Sequence, residues 1–232
     1  MIEIRLSKER GYVDYGWLQS YHSFSFANYY DSRHMHFGPL RVINEDRVIP
    51  GMGFDTHSHH DMEIISYVLG GALAHKDSVG NTSVLRPGDV QRMTAGTGVR
   101  HCEFNYTPTQ TTHFLQIWIQ PAQQGLIPSY EERHFDTTRK RGKLVLIASG
   151  DGRDGSVKAH QDIALYAGYF DSAEQAALPI AQGRRAYVHV VRGKLNVNGT
   201  PLSSGDAAKL TDEAVVKLSS GQDSEVLVFD LP

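Results

Sequence analysis

The stretch GMGFDTHSHHDMEIISYVLGG, residues 51–71, places a cluster of histidines directly before an apolar run. The run that starts at Glu63 ends at paired glycines, a pattern typical of a β-strand that leads into a tight turn. Side chains two residues apart on a strand leave the same face, with backbones about 6.6 Å apart. His57 and His59 can therefore converge on one metal ion, whereas His60 has the opposite parity and is expected to point away.

A second candidate pair lies in TAGTGVRHCEFN, residues 94–105, where His101 and Glu103 again stand on one face of a predicted strand. The glycines before His101 suit a tight turn that leads the chain into this strand. Cys102 has the opposite parity, so we interpret it as a packed or surface thiol rather than a ligand. Three imidazoles and one carboxylate can thus converge from two strands.

This set of side chains indicates a transition metal, because an oxygen-only set would favour Mg²⁺ or Ca²⁺. We predict that His57, His59, His101 and Glu103 bind one divalent ion. On an octahedral ion these ligands leave about two positions for water, substrate or O2, and open positions distinguish catalytic from structural sites. A structural zinc site in an inert barrel is the alternative interpretation.

Short runs rich in Val, Ile, Leu, Tyr and Phe recur along the chain between turn residues, which predicts an all-β sandwich or barrel. SYVLGGALAHKDSVGNTSVLRPGDVQRM (66–93) aligns with VHVVRGKLNVNGTPLSSGDAAKL (188–210), which indicates two copies of one β-domain. At the positions of His57, His59 and Glu63 the second copy has Ile180, Gln182 and Ala186. The metal site is therefore predicted once, in the N-terminal half.

The most polar stretch, IPSYEERHFDTTRKRGK (127–143), marks the connection between the copies. We predict an N-terminal metal-binding domain over residues 1–133, a linker over 134–143, and a C-terminal domain without metal ligands over 144–232. The chain is 40% hydrophobic, which is enough for a sizeable core in each domain.

Composition argues against several classes of partner. The formal net charge is −3, whereas a nucleic-acid-binding protein normally shows a basic excess, so no direct nucleic-acid binding is expected. The single cysteine allows no intramolecular disulfide, which fits a reducing compartment. No apolar segment approaches the about 20 residues that span a bilayer. We therefore expect a cytoplasmic protein that does not bind membranes.

Other residues near the histidine pairs have alternative interpretations. Glu63 could orient an imidazole N–H of a ligand, or be a charge at a strand edge. The aromatic stretch HSFSFANYY (22–30) could line an apolar pocket over the metal, although core packing is the commoner role of each aromatic. We interpret HMH (34–36) as a loop and His113, which alternates with apolar residues, as a packed histidine.

Both histidine segments match the cupin motifs, in the expected order. The residues that match the first motif at its spacing are Gly51, His57, His59, Glu63 and Gly70. Those that match the second motif are Gly98, His101 and Asn105. Gly96 stands where the second motif usually has proline, which is a departure in the turn and not in the ligands.

Within the cupins, the chain resembles the pirin family over most of its length. The blocks that carry the resemblance are ERGYVDYGWLQSYHSFSFANYYD (9–31), LRVINEDRVIPGMGFDTHSHHDME (40–63) and PGDVQRMTAGTGVRHCEFN (87–105). The resemblance implies an all-β bicupin of two stacked jelly-roll (double-stranded β-helix) barrels, with metal only in the N-terminal one. It also implies that the coordinating carboxylate is Glu103 and not Glu63.

The resemblance implies a metal-dependent dioxygenase of the quercetin 2,3-dioxygenase type, in which O2 opens the central ring of a flavonol and carbon monoxide leaves. Glu103 is then the candidate general base, with Glu63 as second choice. Fe is the expected metal, and Cu, Co, Ni, Mn and Zn are alternatives. The alternative function is a non-enzymatic metal- or redox-sensing regulatory protein that binds a transcription regulator or a metabolic enzyme. A monomer is expected.

Overall fold

Almost all regular structure in the chain is β-strand, as the recurring short apolar runs predict. The computed structural model describes residues 1–232. In chain order the strands are β1 (Ile2–Arg5), β2 (Gly11–Asp14), β3 (Leu18–His22), β4 (Leu40–Val48), β5 (Gly53–His59), β6 (Glu63–Gly70), β7 (Leu73–Asp77), β8 (Thr82–Leu85), β9 (Asp89–Thr94), β10 (Val99–Asn105), β11 (Thr112–Ile119), β12 (Ser129–His134), β13 (Val145–Ser149), β14 (Val157–Lys158), β15 (Ala164–Phe170), β16 (Ala176–Pro179), β17 (Arg185–Val197), β18 (Thr200–Ser203), β19 (Ala207–Thr211) and β20 (Val215–Leu231).

Helical structure is confined to one α-helical turn and two short 3-10 segments. The α-helix is α1 (Thr137–Lys140), and Asp136 caps it by accepting a hydrogen bond from the Thr138 backbone N–H. The 3-10 segments cover Ser7–Glu9 and Arg153–Gly155. No helix has the length and apolar composition that a membrane crossing requires.

Contacts between Cα atoms divide the chain into two compact units, each with a short segment from the other half of the sequence. The N-terminal unit comprises Gly11–His134 and Val157–Gln161. The C-terminal unit comprises Met1–Arg10, Phe135–Ser156 and Asp162–Pro232. The continuous domain boundaries given above stay a prediction.

The N-terminal unit consists of two antiparallel sheets with a shared core. The larger sheet has the strand order β12-β9-β6-β11-β4-β3-β2, and the smaller has the order β5-β10-β7-β8. One apolar cluster joins Val68 and Phe114 of the larger sheet to Leu73 and Leu85 of the smaller. A second cluster joins Ile64 and Met93 of the larger sheet to Val99 of the smaller. Because each cluster takes side chains from both sheets, the space between the sheets is the core.

A row of buried polar side chains, here called the polar belt, runs between these two apolar clusters. Its members, paired in register across β3, β4, β11, β6 and β9, are His22, Asn44, Gln116, Ser66 and Gln91. Residues directly opposite on paired strands share a face of the sheet. On β11 the neighbours of Gln116 on that face are Phe114 and Trp118, which belong to or pack on the apolar clusters. Buried polar groups need hydrogen-bond partners, so the belt directs attention to what lies opposite it.

The C-terminal unit has an aliphatic core instead. Its long strands β17 and β20 pair along most of their length, with register shifts between Val190 and Asn196 that bend the ladder. Val188, Val190, Val226 and Val228 pack in the interior of this unit. Both groups of side chains that could hold a metal ion lie in the N-terminal unit.

Candidate metal centre

Three neighbouring strands of the smaller sheet bring histidines and carboxylates to one face. The residues alternate along each strand, with His57 and His59 on β5, His101 and Glu103 on β10, and His75 and Asp77 on β7. In the register, His101 lies directly opposite His57 on one side and Asp77 on the other, and Glu103 lies opposite His75. Opposite residues have Cβ atoms about 4.5–5.5 Å apart, so the pairing of the strands assembles the set.

The pairing of β5 with β10 contains a β-bulge within the site. His101 pairs with His57, whereas Glu103 pairs with Phe54, so β5 uses one more residue than β10 over this interval. A bulge bends its strand and changes the direction of neighbouring side chains, and it is common next to functional sites.

The three imidazoles that the sequence pairs meet at their Nε2 atoms. His101 Nε2 lies 3.0 Å from His57 Nε2 and 3.0 Å from His59 Nε2. His57 Nδ1 lies 2.7 Å from the backbone carbonyl oxygen of Asp55, and because a carbonyl can only accept, Nδ1 carries the proton and Nε2 presents a lone pair. Burial, followed by the charge of His57, lowers the pKa of His59 to about 4, and burial also lowers the pKa of His101.

This arrangement fits a divalent transition metal. Neutral imidazole is the form that binds metal, and the lowered pKa values keep His59 and His101 neutral at pH 7. Nitrogen ligands at about 2.0–2.1 Å from one ion lie roughly 3 Å from one another, which matches the contacts made by His101 Nε2. His101 Nε2 faces two nitrogens and has at most one proton to share, so a cation between the rings would relieve the repulsion of their lone pairs.

Glu103 is buried on the same face of β10, next to the polar belt. Its Oε1 accepts a hydrogen bond of 3.2 Å from Ser66 Oγ, and its Oε2 accepts a short one from Gln116 Nε2. Burial raises the pKa of Glu103 to about 8, against the hydrogen bond from Ser66. Its carboxylate groups most closely with His75 and His101, whereas the three Nε2 atoms form a separate close group. His101 belongs to both groups and joins them.

His75 and the polar belt are parts of the site that reasoning from the sequence missed. His75 Nε2 lies 3.3 Å from Asp77 Oδ2, and His75 Nδ1 lies 3.4 Å from Gln91 Nε2 of the belt. A signal was present for two members of the belt, because Ser66 and Gln116 each interrupt an apolar run and a polar residue at a core position needs a partner. That signal gives no information about which strands are paired.

Glu63 has neither of the roles considered from the sequence. β5 ends at His59 and β6 begins at Glu63, and Asp61 between them has a positive φ of 46°, so strand parity does not continue across this turn. The Glu63 carboxylate is fully buried, and its Oε2 accepts hydrogen bonds from His160, from the backbone N–H at 3.1 Å and from Nδ1 at 3.3 Å. Glu63 therefore fastens the segment Val157–Gln161 into the N-terminal unit.

His60, the histidines of segment 34–36, His113 and Cys102 lie outside the candidate site. His60 is exposed and its Nδ1 lies 2.9 Å from Asp61. The segment 34–36 is irregular, and His113 Nε2 lies 3.0 Å from the Glu45 carboxylate. Cys102 is half-buried.

A pocket with aromatic walls opens beside the imidazoles. His57, His59, His101 and Glu103 all line it. Phe26 from the aromatic stretch 22–30 also lines it, whereas Phe24 is buried in the core. One aromatic of this stretch therefore lines the pocket, and another has a packing role. The Trp118 ring lies edge-on to Phe26 at 5.3 Å and edge-on to His59 at 4.9 Å. The pocket therefore places flat apolar surfaces next to the converging nitrogens.

Comparison with known proteins identifies the family. Residues 3–119 match the pirin family model, and residues 146–231 match the model of the quercetinase C-terminal cupin domain. A protein named quercetin 2,3-dioxygenase from Escherichia coli (strain K12) is 47% identical over 232 residues, which cover 100% of this chain and 99% of that protein. A pirin-like protein from Caulobacter vibrioides is 38% identical over 231 residues, 99% of each chain.

Two crystal structures of YhhW from Escherichia coli are similar over the whole chain. One superimposes with a TM-score of 0.96 and 46% identity and covers 100% of this chain and 98% of that one. The other, which is a complex of this bacterial pirin with nickel(II), has a TM-score of 0.95 and 46% identity and covers 100% and 99%. The predicted all-β fold with two cupin domains is confirmed. The chain therefore belongs to the pirin family of the cupin superfamily.

Proposed function

We propose that the chain is a metal-dependent dioxygenase that opens the central ring of a flavonol such as quercetin with O2 and releases carbon monoxide. The observation that carries this proposal is the convergence of three Nε2 atoms beside a pocket lined by Phe26 and Trp118. The name of the relative that is 47% identical over the full chain supports the reaction type. Flat aromatic walls suit a flat aromatic substrate.

We propose His57, His59 and His101 as metal ligands through Nε2, with Glu103 as the carboxylate of the set. When bound, a divalent ion supplies Lewis acidity towards a substrate oxygen. A set of imidazoles and one carboxylate accepts several transition metals. Fe is our first choice, nickel is supported by the YhhW complex, and Cu, Co, Mn and Zn are further alternatives.

We propose Glu103 as the general base that takes the proton of the flavonol 3-hydroxyl. Burial raises the pKa of Glu103 to about 8 in the metal-free protein, and a cation held by the neighbouring imidazoles would favour its ionised form, which is the form that can take a proton. Gln116 holds Oε2, and the longer hydrogen bond from Ser66 leaves Oε1 as the oxygen that receives the proton. Gln116 in turn accepts a 3.3 Å hydrogen bond from Trp118 Nε1, so the base and the aromatic wall are held by one amide side chain.

The test is oxygen uptake and carbon monoxide release with quercetin, for protein stripped of metal and reloaded separately with Fe, Ni, Co, Mn or Cu. We expect turnover with at least one metal and a loss of about 100-fold or more in the His101→Ala variant. The matched control is His60→Ala, because His60 is exposed and lies outside the metal group. Absence of O2 uptake with every metal would contradict the proposal.

A further inference from the structure

The wall of the pocket formed by the larger sheet carries two buried acceptors that the reaction above does not use. Asn44 and Asp46 alternate on β4, so their side chains leave the same face of the strand, and both line the pocket. Asn44 belongs to the polar belt, and Asp46 is the next residue on the same face of β4, just outside the belt. Asn44 is 4% exposed and Asp46 is 3% exposed, so water in the bulk does not solvate them.

One oxygen of each side chain has no hydrogen-bond partner in the protein. The Oδ1 atoms of Asn44 and Asp46 are both buried and accept no hydrogen bond from another residue. Ser20, which pairs with Asp46 across β3 and β4, donates one hydrogen bond to the Asp46 carboxylate. An unsatisfied buried acceptor costs about 1–3 kcal/mol in an ordinary core, and native structures rarely keep two adjacent ones without a reason.

The surroundings of these acceptors select the kind of donor that could reach them. Leu18, Val13 and Phe54 share the pocket wall with them, and Trp118 and Phe26 form its aromatic part. Walls of this kind favour a ring system over an extended polar chain. A flat aromatic ligand that enters such a pocket can satisfy two buried acceptors through donors fixed to its rings, and on a flavonol those donors are hydroxyl groups.

We propose that Asn44 and Asp46 form a recognition site for ring hydroxyls of the substrate, separate from the hydroxyl that faces the histidines. The inference rests on the proposed function and deepens it, because it makes polyhydroxylated flavonols the preferred substrate class. The two acceptors would position the ring system along the pocket and fix which oxygen reaches His57, His59 and His101. A site built to bind hydroxyls discriminates against analogues that lack them, because its buried acceptors then stay unpaired.

The experiment compares the affinity of the metal-loaded protein for quercetin and for unsubstituted 3-hydroxyflavone by isothermal titration calorimetry. The two compounds share the 3-hydroxyl and 4-keto groups and differ only in the other ring hydroxyls. We expect wild-type protein to prefer quercetin, and we expect Asp46→Leu and Asn44→Leu each to reduce that preference about tenfold. Asp46→Asn keeps an acceptor and should keep most of the preference, which a purely structural role of Asp46 would not explain.

The matched control is Arg47→Leu, since Arg47 is the next residue of β4, has the opposite parity and pairs with Glu45. Equal preference in wild type, Asp46→Leu and Asn44→Leu would overturn the recognition site, even if the wild type turns quercetin over. A different result would separate the two proposals. If the wild type prefers quercetin and the leucine variants lose that preference, but the wild type does not turn quercetin over, the recognition site is supported and the dioxygenase proposal is rejected. Failure of the wild type to bind either flavonol would overturn both.

Discussion

At the residue scale, buried carboxylates give the pocket its electrostatic character. Burial raises the pKa of Asp46 to about 7 and that of Glu103 to about 8, and neither side chain forms an ion pair. Each therefore has a higher affinity for a proton in the folded protein than in the unfolded chain. Such groups make the stability of the metal-free protein depend on pH.

The Asp46→Asn substitution tests this dependence. The folded-state pKa of Asp46, about 7, lies above the ordinary aspartate value of 3.8, so the folded protein binds the proton more tightly and its stability falls as pH rises between these values. We expect Asp46→Asn to match wild type near pH 4 and to be more stable by a few kcal/mol at pH 8, in urea unfolding of metal-free protein. A stability difference that does not change with pH would contradict the raised pKa.

Glu63 has a structural role that can be separated from metal binding. In His160→Ala, Glu63 Oε2 loses its hydrogen bond from the imidazole and keeps only the one from the backbone N–H. We expect a loss of about 1–3 kcal/mol in the free energy of unfolding with unchanged metal content. His134→Ala is the control, because the His134–Asp89 pair is exposed and contributes about 0–1 kcal/mol. Lost metal with unchanged stability would instead place Glu63 at the site.

At the element scale, the turn before β10 explains why Gly96 stands where the cupin motif usually has proline. Gly96 has a φ of 47°, which proline cannot adopt, and a Cβ at this position would overlap the carbonyl oxygen of Leu126. That carbonyl accepts the Thr97 backbone N–H at 2.8 Å. The approach of the 126–127 backbone thus fixes the direction in which the chain enters β10 and carries His101 into the site.

We predict that Gly96→Ala destabilises the protein by about 2–4 kcal/mol, from strain at positive φ and from overlap with the backbone. It should also lower metal content, because the turn leads directly into β10. Gly125→Ala is the matched control, since Gly125 has a similar φ of 69° but open space around its Cβ position, and it should cost about 1 kcal/mol. Equal melting temperatures of the two variants would contradict this account of the turn.

Strand parity explains both the success and the failure of prediction for individual elements. It predicted that His57 and His59 share a face and that His101 and Glu103 share a face, because each pair lies within one strand. Parity says nothing about Glu63, since a turn with Asp61 at positive φ separates β5 from β6. Parity within β7 would have paired His75 with Asp77, but only the pairing of β7 with β10 brings them beside Glu103.

At the scale of the whole molecule, the internal repeat predicted two β-domains with a metal site in one of them. The two interiors differ in kind, with a polar belt and histidines in the N-terminal unit and an aliphatic cluster in the C-terminal unit. The exchange of the short segments Met1–Arg10 and Val157–Gln161 between the halves could not be predicted, because it depends on long-range contacts such as that of Glu63 with His160.

Metal removal should therefore act on one unit. A ligand that binds only the folded state stabilises the region that holds it. We expect chelation to increase amide hydrogen exchange in β5 and β10, while exchange in β17 and β20 stays unchanged. A uniform increase in exchange through both units would show that the effect of the metal is not local to the proposed site.

The central claim is that His57, His59 and His101 bind one metal ion. Elemental analysis of protein purified anaerobically in parallel tests it most directly, with wild type, His101→Ala and the exposed control His60→Ala. The account predicts about one transition-metal ion per chain in wild type and in His60→Ala, and loss of most of the metal in His101→Ala. Full metal retention in His101→Ala would contradict it.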